Sequence, residues 1–233
     1  MHWTVGKVKI TKVVELETVG STRFILPLAT NEEIRKLPWL IPHFATEEGR
    51  LKMSIHSLVV ETPSRRIVVD TGLGNDKEGR SVPTFANARY VFGKTEYEHW
   101  RDHSEEPDRA AVFNDSVKPI VDAGKADLVG SDARLGDEIA LIPTPGHSPG
   151  HVSIHIQSDG EEALLTGDVA HHPCQMAHLD WSSTADSDPV QSALTRHELF
   201  SRFADTATQV IGGHFSAGHI RRDGDAFKFV VRA

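Results

Sequence analysis

The sequence predicts a layered fold of mixed strands and helices, α/β or α+β, on three observations. Two successive sets of strand-like segments alternate with helical ones, the pattern of sheets covered by helices. The apolar share is globular: 39% of the 233 residues are hydrophobic, and adding the glycines brings the share to roughly 47%, inside the usual range of about 45–50%. No apolar run is long enough to cross a membrane as a helix. No linker composition interrupts the chain, so residues 1–233 are expected to form a single domain.

The N-terminus alternates its apolar residues around Lys7 and Lys9, with no apolar stretch leading to a small-residue cleavage site, and reads as the first strand of a mature domain. Residues 7–16 (KVKITKVVEL) and 54–61 (SIHSLVVE) mix alternation with β-branched side chains, and 66–70 (RIVVD) is a short apolar run ending in a turn at 71–74. Between them, 31–37 (NEEIRKL) predicts a short helix capped by Thr30 or Asn31 and stopped by Pro38. Segment 38–44 (PWLIPHF) is too apolar and too proline-broken for a surface loop. It reads either as a lid or interface segment, in which Trp39 and Phe44 could line an acyl or aromatic pocket, or as a buried connector. A polar loop at 74–83 precedes a strand at 88–92 and a charged helix at 95–103, on which His99 and His103 read as a solvated face. A helix at 116–123 ends at Gly124, and strands follow at 137–142, 151–157 and 162–165. Residues 188–203 are the clearest helix, with Leu194, Leu199, Phe200 and Phe203 on one side; 204–208 continue it before a strand at 209–212.

Charge and composition narrow the function. The 33 acidic residues against 25 basic ones give a net charge of −8, which argues against a nucleic-acid or anionic-membrane partner. The single cysteine, Cys174, has no internal disulfide partner, which fits the reducing cytoplasm, and it reads as structural. Fourteen histidines are the anomaly. Histidine enrichment without cysteine clusters suggests imidazole and carboxylate metal ligands. Three segments share one design, an apolar strand delivering a polar side chain beside glycine. They are LIPTPGHSPGH (141–151), presenting His147 and His151; LLTGD (164–168), presenting Asp168 and followed by His171 and His172; and VIGGH (210–214), presenting His214. Such a convergence points to a hydrolytic metal site with a small-molecule substrate. His155, which alternates with Ile154 and Ile156, reads as an ordinary strand residue, and Trp181 as core or interface.

At these residues the sequence resembles the metallo-β-lactamase-fold hydrolases, in the branch that holds N-acyl homoserine lactonases and methyl parathion hydrolase-like esterases. The resemblance runs in order through VVDTG (68–72), PTFANARYVFGKTEYEHW (83–100), TPGHSPGHVS (144–153) with TGD (166–168), and GGHFSAGHI (212–220). It implies an α+β fold, a four-layer αβ/βα sandwich in this case lacking part of its first half. It also implies that His147 and His214 bind metal, that Asp168 bridges two ions as the central catalytic carboxylate, and that Asp70 and His151 support them. In the family two ions, usually zinc, hold a hydroxide that attacks a carbonyl or phosphoryl centre. Homodimers are common in that branch.

The family's most diagnostic signature, His-x-His-x-Asp-His, is expected between VVDTG and PTFANARYVF. Only residues 73–82 join those stretches, and none is histidine. Each ion would keep two protein ligands, His147 and Asp168 or His214 and Asp168, where catalytic zinc normally has three. Either the working protein carries a further stretch at Arg80–Ser81 and binds two zinc ions, or the shortening is real. In the latter case the chain is a scaffold with few or no metals that binds a small ligand or partner. The intact flanking motifs favour the former; an intact mass of 25.7 kDa would decide for the latter.

Overall fold

The N-terminal residues form a hairpin rather than one strand, in a computed structural model that describes residues 1–20, 24–70, 83–105 and 112–231. β1 (His2–Val5) and β2 (Val8–Gly20) pair antiparallel across Gly6 and Lys7, and Gly6 takes φ +54, the left-handed geometry of a tight hairpin. β2 runs past residue 16 through a bulge between Val14 and Leu16, so its far end reaches Leu51 of β3 (Leu51–Glu61). Between β2 and β3, Thr30 caps α1 (Asn31–Arg35) by accepting from Glu33 N–H. The predicted helix stops there, and Pro38–Leu40 makes one tight 3₁₀ turn. β4 (Arg66–Val69) completes an antiparallel sheet in the order β1-β2-β3-β4. The predicted turn at 71–74, the loop up to residue 82 and the Arg80–Ser81 junction lie outside the described residues.

β5 (Tyr90–Gly93) leads into α2 (Lys94–Asp102), and a π-helical turn, Val112–Val117, runs into α3 (Lys118–Asp122). β6 (Ala126–Val129), which sequence patterning missed, pairs parallel with β5 in a separate two-stranded sheet. Among the described residues β4 pairs with β3 alone and β5 with β6 alone. The second half supplies β7 (Ile139–Pro143), β8 (Val152–Ser158), β9 (Glu161–Leu165), α4 (Cys174–Ala177), α5 (Pro189–Phe203) and β10 (Gln209–Ile211). Its sheet has the order β10-β9-β8-β7, with β10 parallel to β9. A last hairpin, β11 (His219–Asp223) and β12 (Ala226–Val230), also escaped the sequence reading.

The two four-stranded sheets face one another. Val5, Val8, Ile10, Leu58 and Val60 of the first pack on Ile139, Ile156, Ala163, Leu165 and Ile211 of the second. Strand alternation turns Leu164 and Val210 to the opposite face, where they meet Leu199, Phe200 and Phe203 of α5 and Phe227 and Phe229 of the last hairpin. This is the expected α+β sandwich, with sheets inside and helices outside. One expectation about α5 is corrected: Leu194 is 55% exposed, and the buried face is Ser192, Thr195, Arg196, Leu199, Phe200 and Phe203. At about 100° per residue Leu194 falls well away from that stripe. Nor does the helix continue over 204–208, because Ala204 is extended and Asp205 takes φ +61.

Candidate metal centre

The site forms where β7, β9 and β10 end, and one histidine fastens two of those ends together. His151 Nδ1 lies 3.1 Å from the Thr144 carbonyl and 2.8 Å from its hydroxyl. A carbonyl only accepts, so Nδ1 carries the proton and Nε2 is free to accept from Asp168 N–H at 3.0 Å. His151 thus holds the 144–151 turn against the Asp168 turn. The glycine before Asp168 follows from this contact: Gly167 takes φ +56, and a Cβ there would sit 2.7 Å from His151 Nε2. Gly213 is needed for closeness alone, since its Cβ would lie 2.8 Å from Asp168 Oδ1.

His147, Asp168 and His214, separated by tens of residues, converge. His214 Nε2 lies 3.2 Å from Asp168 Oδ1, and His147 Nε2 lies 3.7 Å from Asp168 Oδ2. The far side of each ring is committed elsewhere. His214 Nδ1 donates to the Ser54 carbonyl at 3.1 Å, and His147 Nδ1 donates to Asp186 Oδ1 at 3.2 Å. In the neutral tautomer both histidines therefore turn a lone pair toward a carboxylate, an arrangement that calls for a cation or extra protons between them. Ligand atoms around a shared tetrahedral zinc stand roughly 3.3 Å apart, given Zn–N and Zn–O lengths near 2.0–2.1 Å. The spacing fits. Asp168 Oδ1 is buried and makes no hydrogen bond, with His214 Nε2 3.2 Å away.

The electrostatics agree. Burial opposes the charge of Asp168, yet His214, His171 and His147 around it outweigh burial and hold the carboxyl far below its usual range. Burial also opposes charge on His147 and His214. The Asp186 hydrogen bond and the Asp168 charge overcome it for the first, and Asp168, the Ser54 carbonyl and Asp70 for the second, so both pKa values rise. Asp70 follows β4 at φ +58, a left-handed conformation that aspartate tolerates, and its charge contributes to the raised pKa of His214.

Two neighbours, Asp186 and Glu96, were missed in the sequence, and a third, His171, was noted there only as following Asp168. Asp186 orients His147 while pairing with Arg196 of α5 at 3.4 Å, both side chains fully buried, and it also accepts from Ser183 N–H. The signal was a charged residue on the buried stripe of α5, which patterning by apolar residues overlooks. Glu96 of α2 accepts from Gly150 N–H at 3.0 Å and from Trp100 Nε1–H at 2.6 Å, locking α2 onto the His147–His151 turn. His171 is 3% exposed, and its ring lies 5.2 Å from those of both His147 and His214. By contrast Cys174 is buried with its thiol pKa pushed up by that burial, so it is no nucleophile. Trp181 lies in the core, and His155 is a buried strand residue near Glu162. In segment 38–44, Leu40 and Phe44 are core residues, Trp39 and Ile41 are half-buried and Pro38, Pro42 and His43 are exposed; Phe44 also reaches a cavity of about 200 Å³ beside His214, with Lys12, Lys52 and His43 on its wall.

A family model described as the metallo-β-lactamase superfamily matches residues 83–214, more than half of the chain. The chain belongs to the metallo-β-lactamase superfamily. The matched stretch contains His147, Asp168 and His214 and begins just after the place where the histidine signature is missing. No curated protein matches it. Among solved structures, AidC, a dizinc quorum-quenching lactonase in complex with the product N-hexanoyl-L-homoserine, is similar with a TM-score of 0.80 at 18% identity, covering 100% of this chain and 97% of its own. The hydrolase AbOPH of the β-lactamase superfamily has a TM-score of 0.81 at 18% identity, with the same coverage. A quorum-quenching N-acyl homoserine lactone hydrolase has a TM-score of 0.61 at 16% identity, covering 92% of this chain and 94% of its own. At such identities the likeness to these metallo-β-lactamase structures establishes the fold alone.

Proposed function

We propose that this chain is a metal-dependent hydrolase whose zinc centre is held by His147, Asp168 and His214, and that it opens a lactone or cleaves an ester or organophosphate. The observation that carries the reading is the opposed pair of histidines, each with its Nδ1–H committed elsewhere and its Nε2 turned toward one oxygen of Asp168. A bound zinc ion lowers the pKa of water toward neutrality and polarises a substrate oxygen. The chain's own residues do the positioning. Asp186 and the Ser54 carbonyl fix the two rings, His151 fixes Asp168, and Asp70 adds negative charge beside His214. A cavity of about 200 Å³ reaches His214 and is lined also by Phe44, Lys12, Lys52 and Glu17. The product held by AidC supports a lactone.

Zinc-loaded protein is expected to turn over an N-acyl homoserine lactone, an aryl ester or an aryl phosphotriester, to lose that activity in chelator and to recover it with zinc. Metal-loaded protein inert toward all three would overturn the proposal. The missing histidine signature favours a second reading, a metal-poor scaffold that binds a small ligand or partner. Intact mass measured beside zinc content separates them. A mass of 25.7 kDa with little metal supports the scaffold, and a mass several kilodaltons higher with close to two ions supports a dinuclear enzyme with a longer chain.

A further inference from the structure

With the histidine signature absent, His147, Asp168 and His214 leave each of two ions short of a third protein ligand, and the structure brings a fourth side chain to the place where one is needed. Asp168, His171 and His214 offer ligand atoms that all lie within 4.8 Å of one another. His171 follows Asp168 after the short 3₁₀ turn Gly167–Val169, and its backbone is fastened by Gln175, whose Oε1 accepts from the N–H groups of both His171 (2.7 Å) and His172 (3.2 Å). Gln175 is itself held through Nε2 by the Trp181 carbonyl at 2.7 Å. The ring is therefore positioned rather than free. It stacks at 11° on His214, yet its Nδ1 is buried with no hydrogen-bond partner, as is Asp168 Oδ1. Two unsatisfied polar atoms in one buried cluster are costly unless something meets them.

His171 also belongs to a second group, with His147 and Asp186. There the carboxylate is already taken: Asp186 pairs with Arg196 and accepts from Ser183 N–H and His147. Asp168 Oδ1, the unsatisfied carboxylate atom, belongs to the first group alone, and His171 is common to both. We propose that His171 is a metal ligand, completing with Asp168 and His214 a site for one ion that has three protein ligands. It would stand in for the histidines the signature supplies elsewhere, and His147 faces the other oxygen of Asp168. This rests on the metal-hydrolase reading above but would give one ion three protein ligands, the number usual for catalytic zinc, in place of two ions with two each.

The test is titration of the metal-free 233-residue protein with Co²⁺, followed by calorimetry and visible absorption. One Co²⁺ per chain is expected, and His171→Ala should bind it at least tenfold more weakly while keeping the far-ultraviolet circular dichroism of the wild type. His171→Cys should add a sulfur-to-cobalt charge-transfer band that the wild type lacks, which a merely structural residue would not produce. Pulsed EPR of the Cu²⁺-loaded wild type, needing no substitution, should count at least two bound imidazoles. Unchanged affinity in His171→Ala with no new band in His171→Cys, two Co²⁺ ions per wild-type chain, or a single imidazole on Cu²⁺ would each overturn the His171 site while leaving a metal hydrolase standing. A wild-type chain that takes up no Co²⁺ would overturn the metal-hydrolase reading itself.

Discussion

Asp186 has two duties, and removing it separates them. Its carboxylate neutralises Arg196 inside the protein and aims His147 by accepting from Nδ1–H. Asp186→Ala strands a fully buried guanidinium, so urea unfolding should report a loss of about 3 kcal/mol or more. Metal affinity should fall roughly 10–100-fold because His147 loses the partner that fixes its tautomer. A loss confined to stability would remove Asp186 from the site. A second buried residue gives a pH signature. His172 is fully buried; its Nε2 donates to the Phe44 carbonyl, its Nδ1 accepts from Cys174 N–H, and burial lowers its pKa to about 4. The unfolded chain takes up this proton near pH 6.5, before the folded one does, so the stability is complete above that pH and is lost as pH falls toward 4. The span corresponds to about 3 kcal/mol. In chelator, the wild type should show this acid-side slope and His172→Gln should show a shallower one. At this scale His147, Asp168 and His214 were legible because each ends an apolar strand beside glycine. Asp186 and His171 were not: nothing local distinguishes a carboxylate that matters through a partner thirty-nine residues away, or a histidine whose meaning lies in an unsatisfied nitrogen.

Elements were readable where periodicity was unambiguous. β3, β8 and α5 follow from alternation or from a capped helical stripe, and α5 begins with Asp188 accepting from Gln191 N–H and Pro189 in the first turn. β6 and the β11–β12 hairpin were not readable. β6 is four residues long, and β11 carries His219, Arg221 and Arg222 in a strand that is made by its pairing with β12. The hairpin at Gly6 was hidden because apolar alternation continues on both sides of the turn. The placement of α5 can be tested directly. Leu194→Ala, on the exposed face, should change stability by no more than about 0.5 kcal/mol. Phe200→Ala should cost about 3–5 kcal/mol through the cavity it leaves, and Asp188→Ala about 1 kcal/mol through the lost cap. Urea unfolding of the three variants ranks them; Leu194→Ala as damaging as Phe200→Ala would mean that the helix is rotated from the orientation described.

For the whole molecule, the site lies where the two halves of the sandwich are joined. Ser54 of β3, in the first sheet, donates its N–H to the His214 carbonyl at 2.9 Å and accepts from His214 Nδ1 at 3.1 Å, so the histidine that follows β10 is stitched to the opposite sheet twice. Asp168 enters from the end of β9, and His151 ties that end to the turn after β7. A cation held by Asp168 and His214 would thus fasten β3, β9 and β10 in a single cross-link. Two successive sets of strands were legible in the sequence, but the order in which they pair was not. Binding only to the folded state raises stability with metal concentration, by about 2.7 kcal/mol at a hundredfold excess over the dissociation constant and about 4.1 kcal/mol at a thousandfold. For a chain of this length each kcal/mol shifts the midpoint by roughly 2–4 °C. Thermal unfolding of the metal-free protein across a zinc series should therefore climb steadily with the logarithm of zinc concentration, and Asp168→Ala should flatten that dependence. Because the cross-link joins the two sheets, zinc should shift circular dichroism, which follows both sheets, and tryptophan fluorescence together. A zinc-independent midpoint in the wild type would mean that no cation is bound where the halves meet.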